Sequence, residues 1–361
     1  MTVNSYDEWS PLREVIVGSP IGYDSHELDL SFRLFFKVFD EFTGMSRKLI
    51  KKQYVEELHE DVEGLVTALE GLSVTVHRPL TLPKRADFRT LHWQSTSTPA
   101  LNVRDQAIIL GNEIIETPPQ VRARYFENDL LKPLFAQYFA HGANWSVMPR
   151  PVMTDHSFDL SHARAHDPEH VPGFDELALP ASGMGFEMLF DAAQCLRFGR
   201  DILVNIATDH HALGAEWLVR HFGERFRFHL MRRLDNNHID TQVLPLRPGT
   251  LFLRHPGVVD WLPEPLRRWD KIYAPEPNPA DFPDYGPDDL TLTSLYIDMN
   301  VLSIDENTVI ANSQAPQLIK TLETHGFTVV PVRHRRLFGG GFHCFTLDAV
   351  RADSGPEDYF S

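Results

Sequence analysis

One of the chain's two cysteines follows three consecutive glycines, in the run Gly339, Gly340, Gly341, Phe342, His343, Cys344. Residues without a Cβ allow positive φ and close backbone approach, so a side chain just beyond such a run can be set into a tight pocket. Cys344 is therefore a candidate nucleophile, although cysteine is also a common small buried hydrophobe. Thiol chemistry needs a proton donor for the leaving group and a group that orients the substrate as well. His238 and Asp240 are candidates. They lie in Asn237-His238-Ile239-Asp240 after a turn-like Asp235-Asn236, and are expected on one side of an extended segment, where a carboxylate could orient the imidazole. The chain has 18 histidines, so a solvent-facing or core role for His238 stays open. A His-x-Asp pair also suits a metal, but no second cluster has ligand spacing, since Asp209, His210 and His211 are adjacent.

Two further carboxylates stand in apolar surroundings. Asp191 interrupts MLFDAAQCL, where burial is costly unless a cation or a helix N-terminus compensates; capping a helix that starts at Ala192 is the alternative to a catalytic role. Asp105 precedes the strand-like AIIL, with a local pair to Arg104 as its alternative.

The elements that must position these residues alternate strand and helix. REVIVGSP from Arg13 to Pro20 reads as a strand ending in turn residues. Leu58, Val62, Leu65, Leu69 and Leu72 form one stripe of a helix over 49–72, followed by a β-branched strand ending at Pro79. Gln106 to Pro118 reads as a hairpin around Gly111 and Asn112. A helix is expected over 121–139, a buried strand over 201–207, a helix over 211–222 and a strand over 226–232. Met299 to Asn312 reads as a hairpin around Asp305 and Glu306. A helix through Leu318 and Leu322 then stops at Gly326, and a strand follows from Phe327. This is an α/β pattern, and periodicity does not distinguish a doubly wound sheet from a propeller. His166 to Gly185 and Pro275 to Asp289 read as exposed connections, and neither marks a domain boundary.

The composition bounds the partners. Hydrophobic residues make up 42% and Phe occurs 24 times, enough for a large core in a 361-residue chain of one or two domains. A net charge of −16 argues against nucleic acid and against an anionic membrane surface, and is compatible with cationic small molecules. Two cysteines provide no disulfide framework, and the N-terminus has neither an apolar signal core nor an Arg-rich transit pattern, so a cytoplasmic location is expected.

Taken in order along nearly the whole chain, SYDEWSPLREVIVG, VRD, GNEIIETP, FDAA with GRDI, HIDT, MNVL, and GGGFHC with TLDAVR resemble the amidinotransferase family of the pentein superfamily, that of the glycine and inosamine-phosphate amidinotransferases. GGGFHC also resembles the end of related deiminases; the intervening motifs point to the transferase branch. The resemblance implies a single domain over 1–361, an α/β fold of five ββαβ units arranged as a five-bladed, pseudo-fivefold propeller. It implies transfer of an amidino group from L-arginine to a primary amine, releasing ornithine, with no cofactor and no metal. Cys344 is implied as nucleophile, His238 as general acid and base, and Asp191 as its orienting or guanidinium-binding carboxylate. Asp105 and Asp240 are implied at the guanidinium, and Arg124 and Ser294 as substrate contacts. Family members are often dimers, so a homodimer is compatible with the resemblance.

The chain departs from the glycine-using members. Their Asn-Pro-Asp-Arg stretch, whose Arg holds the donor carboxylate, is replaced by Leu253-Arg254-His255-Pro256-Gly257-Val258, which leaves Arg254 or Arg124 to substitute. Asn237 stands where they carry Met, and Gln194 where they carry Asp. An acceptor larger or more polar than glycine is expected, such as an aminocyclitol or a natural-product precursor. A guanidine hydrolase of the same fold and a catalytically silent metabolite-binding protein are the alternatives.

Overall fold

In a computed structural model of the chain, the described residues are 2–38, 42, 44–82, 84–158, 187–232, 234, 238–283, 286, 289, 290 and 292–360. The expected connection over 166–185 and the turn at Asp235-Asn236 lie outside them.

Five three-stranded sheets share one pattern. In each, a central strand runs antiparallel to one neighbour and parallel to the other, and the parallel partner is reached through helix. The first sheet pairs Leu12–Val17 with Thr346–Arg351 on one side and Thr75–His77 on the other, so the end of the chain completes the sheet that its beginning starts. The second is Ala107–Leu110, Glu113–Glu116 and Asn144–Val147, and the third Cys195–Phe198, Asp201–Ile206 and Arg227–Arg232. The fourth is Val243–Arg247, Thr250–Leu253 and Asp270–Tyr273, and the fifth Leu302–Ser303, Thr308–Asn312 and Thr328–Val332. Central strands such as Asp201–Ile206 are buried along their whole length, as parallel pairing under a helix requires.

The apolar clusters cross from sheet to sheet. Leu12, Val15 and Val17 of the first sheet share a core with Leu302 and Ile310 of the fifth, while Ile16 and Leu347 pack with Ile109 and Ile114 of the second. Ile108 and Ile115 join Ile202 and Val204 of the third, and Leu196 and Phe198 join Leu244 and Phe252 of the fourth together with Val309 of the fifth. No helix among the described residues is long and apolar enough to cross a membrane.

Both expected hairpins form. Gly111 turns the first at φ +60, where only a residue lacking Cβ also clears the ring of Tyr6. The helix stripe Leu58, Val62, Leu65 and Leu69 is buried, but its helix begins at Lys52: Arg47–Leu49 pairs instead as a strand with Ser25–Glu27, and Leu49 points outward. The helix expected over 121–139 is split. Arg122–Arg124 and Glu127–Leu130 are single 3-10 turns, and the α-helix spans Lys132–Ala140, entered through Pro133, whose missing N–H is harmless in a first turn. The described part of 275–289 is a connection with one 3-10 turn, Pro279–Asp281.

Candidate active site

The chemistry-bearing residues sit at equivalent points of the five sheets, on short turns that feed the antiparallel edge strand. Asp105 lies in Val103–Gln106 ahead of the second sheet, and Asp191 precedes Ala192–Gln194 ahead of the third. His238 and Asp240 flank and occupy Ile239–Thr241 ahead of the fourth, Asn300 closes Ile297–Met299 ahead of the fifth, and Cys344 lies just before Thr346–Arg351 of the first. The segment at His238 is thus a 3-10 turn, not the extended one expected. A strand would have sent both side chains to one face by alternation, whereas here the turn brings both to the wall of one cavity.

That cavity, of about 230 Å³, is lined by Cys344, His238, Asp105, Asp240, Arg124 and Ser294. Its other walls include Tyr23, Phe32, Phe35, Phe36, Leu292 and Phe338, with Arg254 and Asn300. Asp191 is not on the wall; it stands behind His238. Asn237 lies outside the described residues.

Cys344 is buried. Its backbone N–H donates to Asn300 Oδ1 at 2.8 Å, and its thiol to Asp240 Oδ2 at 3.3 Å. The same Oδ2 accepts from Asn300 Nδ2 at 2.8 Å and His343 Nδ1 at 2.9 Å, while Asp240 Oδ1 is buried with no hydrogen-bond partner. Asp105 is arranged alike. Its Oδ2 accepts from Arg124 at 2.7 Å, and its Oδ1 is buried without a hydrogen bond, 3.6 Å from His238 Nδ1. Each carboxylate therefore has one oxygen committed to protein and one unsatisfied, a costly state that a cationic N–H donor in the cavity would relieve.

His238 donates from Nε2 to Asp191 Oδ2 at 2.9 Å, and Asp191 Oδ1 accepts from Gln106 at 3.2 Å. Asp191 caps no N–H of its turn, so its partner is the imidazole. Burial alone would drive the proton off His238, but Asp105, Asp191 and Asp240 outweigh it and hold the pKa up at about 9. Burial raises the Cys344 thiol well above its ordinary value, and the Asp240 and Asp105 charges push it further. Burial would also raise Asp240, but His343, His238 and Asn300 bring it down to about 2. At neutral pH these shifts favour a thiol at Cys344, an imidazolium at His238 and an ionised Asp240.

Asp105 does not pair with Arg104. Arg104 turns the other way, donating to Asp348 at 2.6 Å and to the carbonyl of His343 at 2.8 Å. Arg197 donates to Glu8 at 2.8 Å and to Asp348 at 2.7 Å, so a buried ion network anchors the Cys344 loop from beneath. The glycine run serves the same fit. Gly340 has φ +104, and a Cβ there would stand 2.3 Å from Asn102 Oδ1; at Gly341 one would stand 2.8 Å from the Asn300 Cβ.

Arg124 lines the cavity, and four of its five N–H groups are engaged. Nε and one terminal nitrogen donate to Glu127 at 2.7 and 2.8 Å, the other terminal nitrogen donates to Asp105, and a further bond runs to the carbonyl of Asn102 at 3.0 Å. Arg254 differs. It makes no ion pair among the described residues, and its guanidinium lies 3.8 Å over the ring of Tyr296. Ser294 accepts from the Tyr296 N–H at 3.2 Å.

Glu127, Asn300 and His343 were not singled out in the sequence. Asn300 and His343 lie inside motifs that were, MNVL and GGGFHC, and Glu127 lies three residues past Arg124, so adjacency was the available signal. Asp105, His238 and Cys344 also offer ligand atoms within 4.8 Å of one another, the one such set among the described residues. No sequence spacing could reveal it, because its members come from three different sheets. Each already has a protein partner: Arg124, Asp191 and Asp240 respectively.

No family model matches the chain. It is 34% identical over 97% of both chains to inosamine-phosphate amidinotransferase 1 of Streptomyces griseus. It is 33% identical to L-arginine:L-lysine amidinotransferase of Pseudomonas savastanoi pv. phaseolicola, over 97% of this chain and 94% of that one. Among solved structures, an amidinotransferase of the saxitoxin biosynthetic pathway from Microseira wollei superposes with a TM-score of 0.83 at 33% identity, covering 99% of each chain.

Proposed function

This chain belongs to the amidinotransferase family, and on that premise we propose that it moves the amidino group of L-arginine to a primary amine through a covalent adduct on Cys344. The observation that carries this reading is the pair of buried, unsatisfied oxygens, Asp105 Oδ1 and Asp240 Oδ1, in the wall that also presents the Cys344 sulfur. A guanidinium is planar and cationic with N–H groups on several edges. Two carboxylates can hold it in charge-assisted bonds with its carbon toward the sulfur.

The steps follow from the charges. A guanidinium entering between Asp105 and Asp240 compensates the two carboxylates that keep the thiol protonated, and the thiol proton is lost to solvent. The thiolate attacks the guanidinium carbon. As the bond from that carbon to the chain nitrogen breaks, the His238 imidazolium protonates the departing amine, and ornithine leaves. The product on the enzyme is an S-amidino Cys344. His238, now neutral and held by Asp191, takes a proton from the acceptor amine as it attacks the same carbon and expels the sulfur. These side chains suffice, and Arg254 is the cation available for the donor's carboxylate.

We read residues 1–361 as one domain whose five sheets stand as blades of a propeller around this cavity. The shared pattern of the sheets, the apolar clusters that link each to its neighbours, and the convergence of their five feeding turns support that arrangement.

The test is ornithine release from L-arginine with a panel of primary amines. Amine-dependent ornithine is the expected result. Citrulline and ammonia formed without an amine would favour the hydrolase instead.

A further inference from the structure

Resting on the amidinotransfer reading above, we propose that His343 is a positioning residue for the transfer: it pins one oxygen of Asp240 beside Cys344 and ties that carboxylate to a buried ion network drawn from the SYDEW, VRD and TLDAVR motifs.

Of the residues in those three motifs, Asp105 alone lines the cavity. The others build a cluster of charges beneath it, together with Arg197. Glu8 accepts from Arg197 at 2.8 and 2.5 Å and from Arg104 at 3.3 Å. Asp348 accepts from Arg104 at 2.6 Å, Arg197 at 2.7 Å and Arg351 at 2.9 Å. All five side chains are buried, where an unpaired charge is costly. Yet three guanidiniums here face two carboxylates. A third carboxylate would balance them, and Asp240 stands one imidazole away.

That imidazole is His343. Its Nδ1 lies 2.9 Å from Asp240 Oδ2 and its Nε2 lies 3.5 Å from Glu8 Oε2, so each ring nitrogen addresses one carboxylate. The backbone of His343 is held independently of the ring. Its N–H donates to the carbonyl of Asn300 at 3.2 Å, and its own carbonyl accepts from Arg104 at 2.8 Å and from Thr346 Oγ1 at 3.0 Å. The Cys344 loop can therefore keep its course when the ring is replaced, and the task left to the ring is the carboxylate.

Asp240 needs such a hold. Burial would raise its pKa, and the His343 bond is foremost among the interactions that bring it down to about 2 instead. A carboxylate can also turn about its own axis. Pinning Oδ2 removes that freedom, so the pose of a guanidinium against the sulfur is set before the donor enters. Asn300 shares the work: its Nδ2 donates to the same Oδ2 at 2.8 Å, and its Oδ1 accepts the Cys344 N–H. Asn300 stands on the cavity wall, whereas His343 carries the hold down to the buried charges.

The test is the single-turnover rate of adduct formation on Cys344 at subsaturating L-arginine, which needs no acceptor. His343→Leu should lower that rate about ten- to a hundredfold, the size of a lost hydrogen bond to a charged group. His343→Asn, whose amide nitrogen can stand where Nδ1 stood, should recover most of it. His343→Gln, whose amide reaches toward Glu8 instead, should not, and it replaces the Leu variant if that one does not fold. In an Asp240→Ala enzyme the same His343 changes should alter the residual rate by less than about threefold, since His343 acts through the missing carboxylate. A near-normal rate in His343→Leu or His343→Gln, an Asn variant as slow as the Leu variant, or an equal loss with and without Asp240 overturns the proposal. Absence of any Cys344 adduct in the unaltered enzyme would count against amidinotransfer itself, a result distinct from any of these.

Discussion

Replacing Asp240 by Asn should change two properties in opposite directions. The substitution keeps size and shape, but an amide cannot serve both sides of this position. Oδ2 faces three donors, from Asn300, His343 and the Cys344 thiol, so the amide oxygen must take that place and the NH2 must take the buried position of Oδ1, which has no hydrogen-bond partner. A guanidinium would then meet an N–H where it now meets an unsatisfied carboxylate oxygen. Loss of one charge-assisted bond amounts to about 1.5–3 kcal/mol, or about ten- to a hundredfold in kcat/KM for L-arginine, and the unfavourable N–H contact adds to it. Meanwhile the Asp240 charge is one of the groups that hold the Cys344 thiol up, so its removal should make the empty enzyme's thiol more reactive. Ornithine release measures the first effect, and iodoacetamide alkylation at neutral pH, mapped to Cys344, measures the second. An Asp240→Asn enzyme with undiminished kcat/KM, or with a slower-reacting thiol, would refute the reasoning.

Further outcomes follow from the same geometry. His238→Asn should lower turnover by about 10²–10⁴-fold, since the departing amine has no other acid positioned for it; near-normal turnover would reassign His238 to structure. Because His238 is held protonated to about 9, turnover should fall as pH rises through that value. His238 binds its proton more tightly folded than unfolded, so its contribution to stability is complete below about pH 6.5 and lost as pH rises through about 9. Urea unfolding across that window should show a decline that His238→Asn removes, and an identical decline in the variant would contradict the assignment. Cys195, buried in the strand Cys195–Phe198 and absent from the cavity wall, should tolerate replacement by Ser with ornithine release nearly intact; a folded but inactive Cys195→Ser enzyme would move the nucleophile.

The elements were legible wherever local rules dominate. Gly111 and the Asp305-Glu306 pair announce their hairpins by turn chemistry, and the Leu58-to-Leu69 stripe announces its helix by period. The stretch over 121–139 differs from the single helix expected of it: Arg122, Arg124 and Glu127 make ion pairs and carbonyl contacts in 3-10 turns that no periodicity encodes. The site divides in the same way. The residue types at 105, 238, 240 and 344 stand out in the chain, but the partner of each comes from a distant segment: Asp105 passes over adjacent Arg104 for Arg124, and Asp240 is oriented by Asn300 and His343. Convergence on one cavity of Asp105, His238, Asp240, Asn300 and Cys344, from turns ahead of four separate sheets, is a property of topology, and neither composition nor spacing carries it.

The account's central claim is that the amidino group resides on Cys344 between the two half-reactions. Incubation with L-arginine in the absence of any acceptor, acid quench and intact-mass measurement test it directly. The account predicts the added mass of one amidino group, mapped to the peptide that contains Cys344 and discharged when a competent amine is supplied. An adduct on another residue, or steady conversion of arginine to citrulline with no adduct that an amine can discharge, would contradict it.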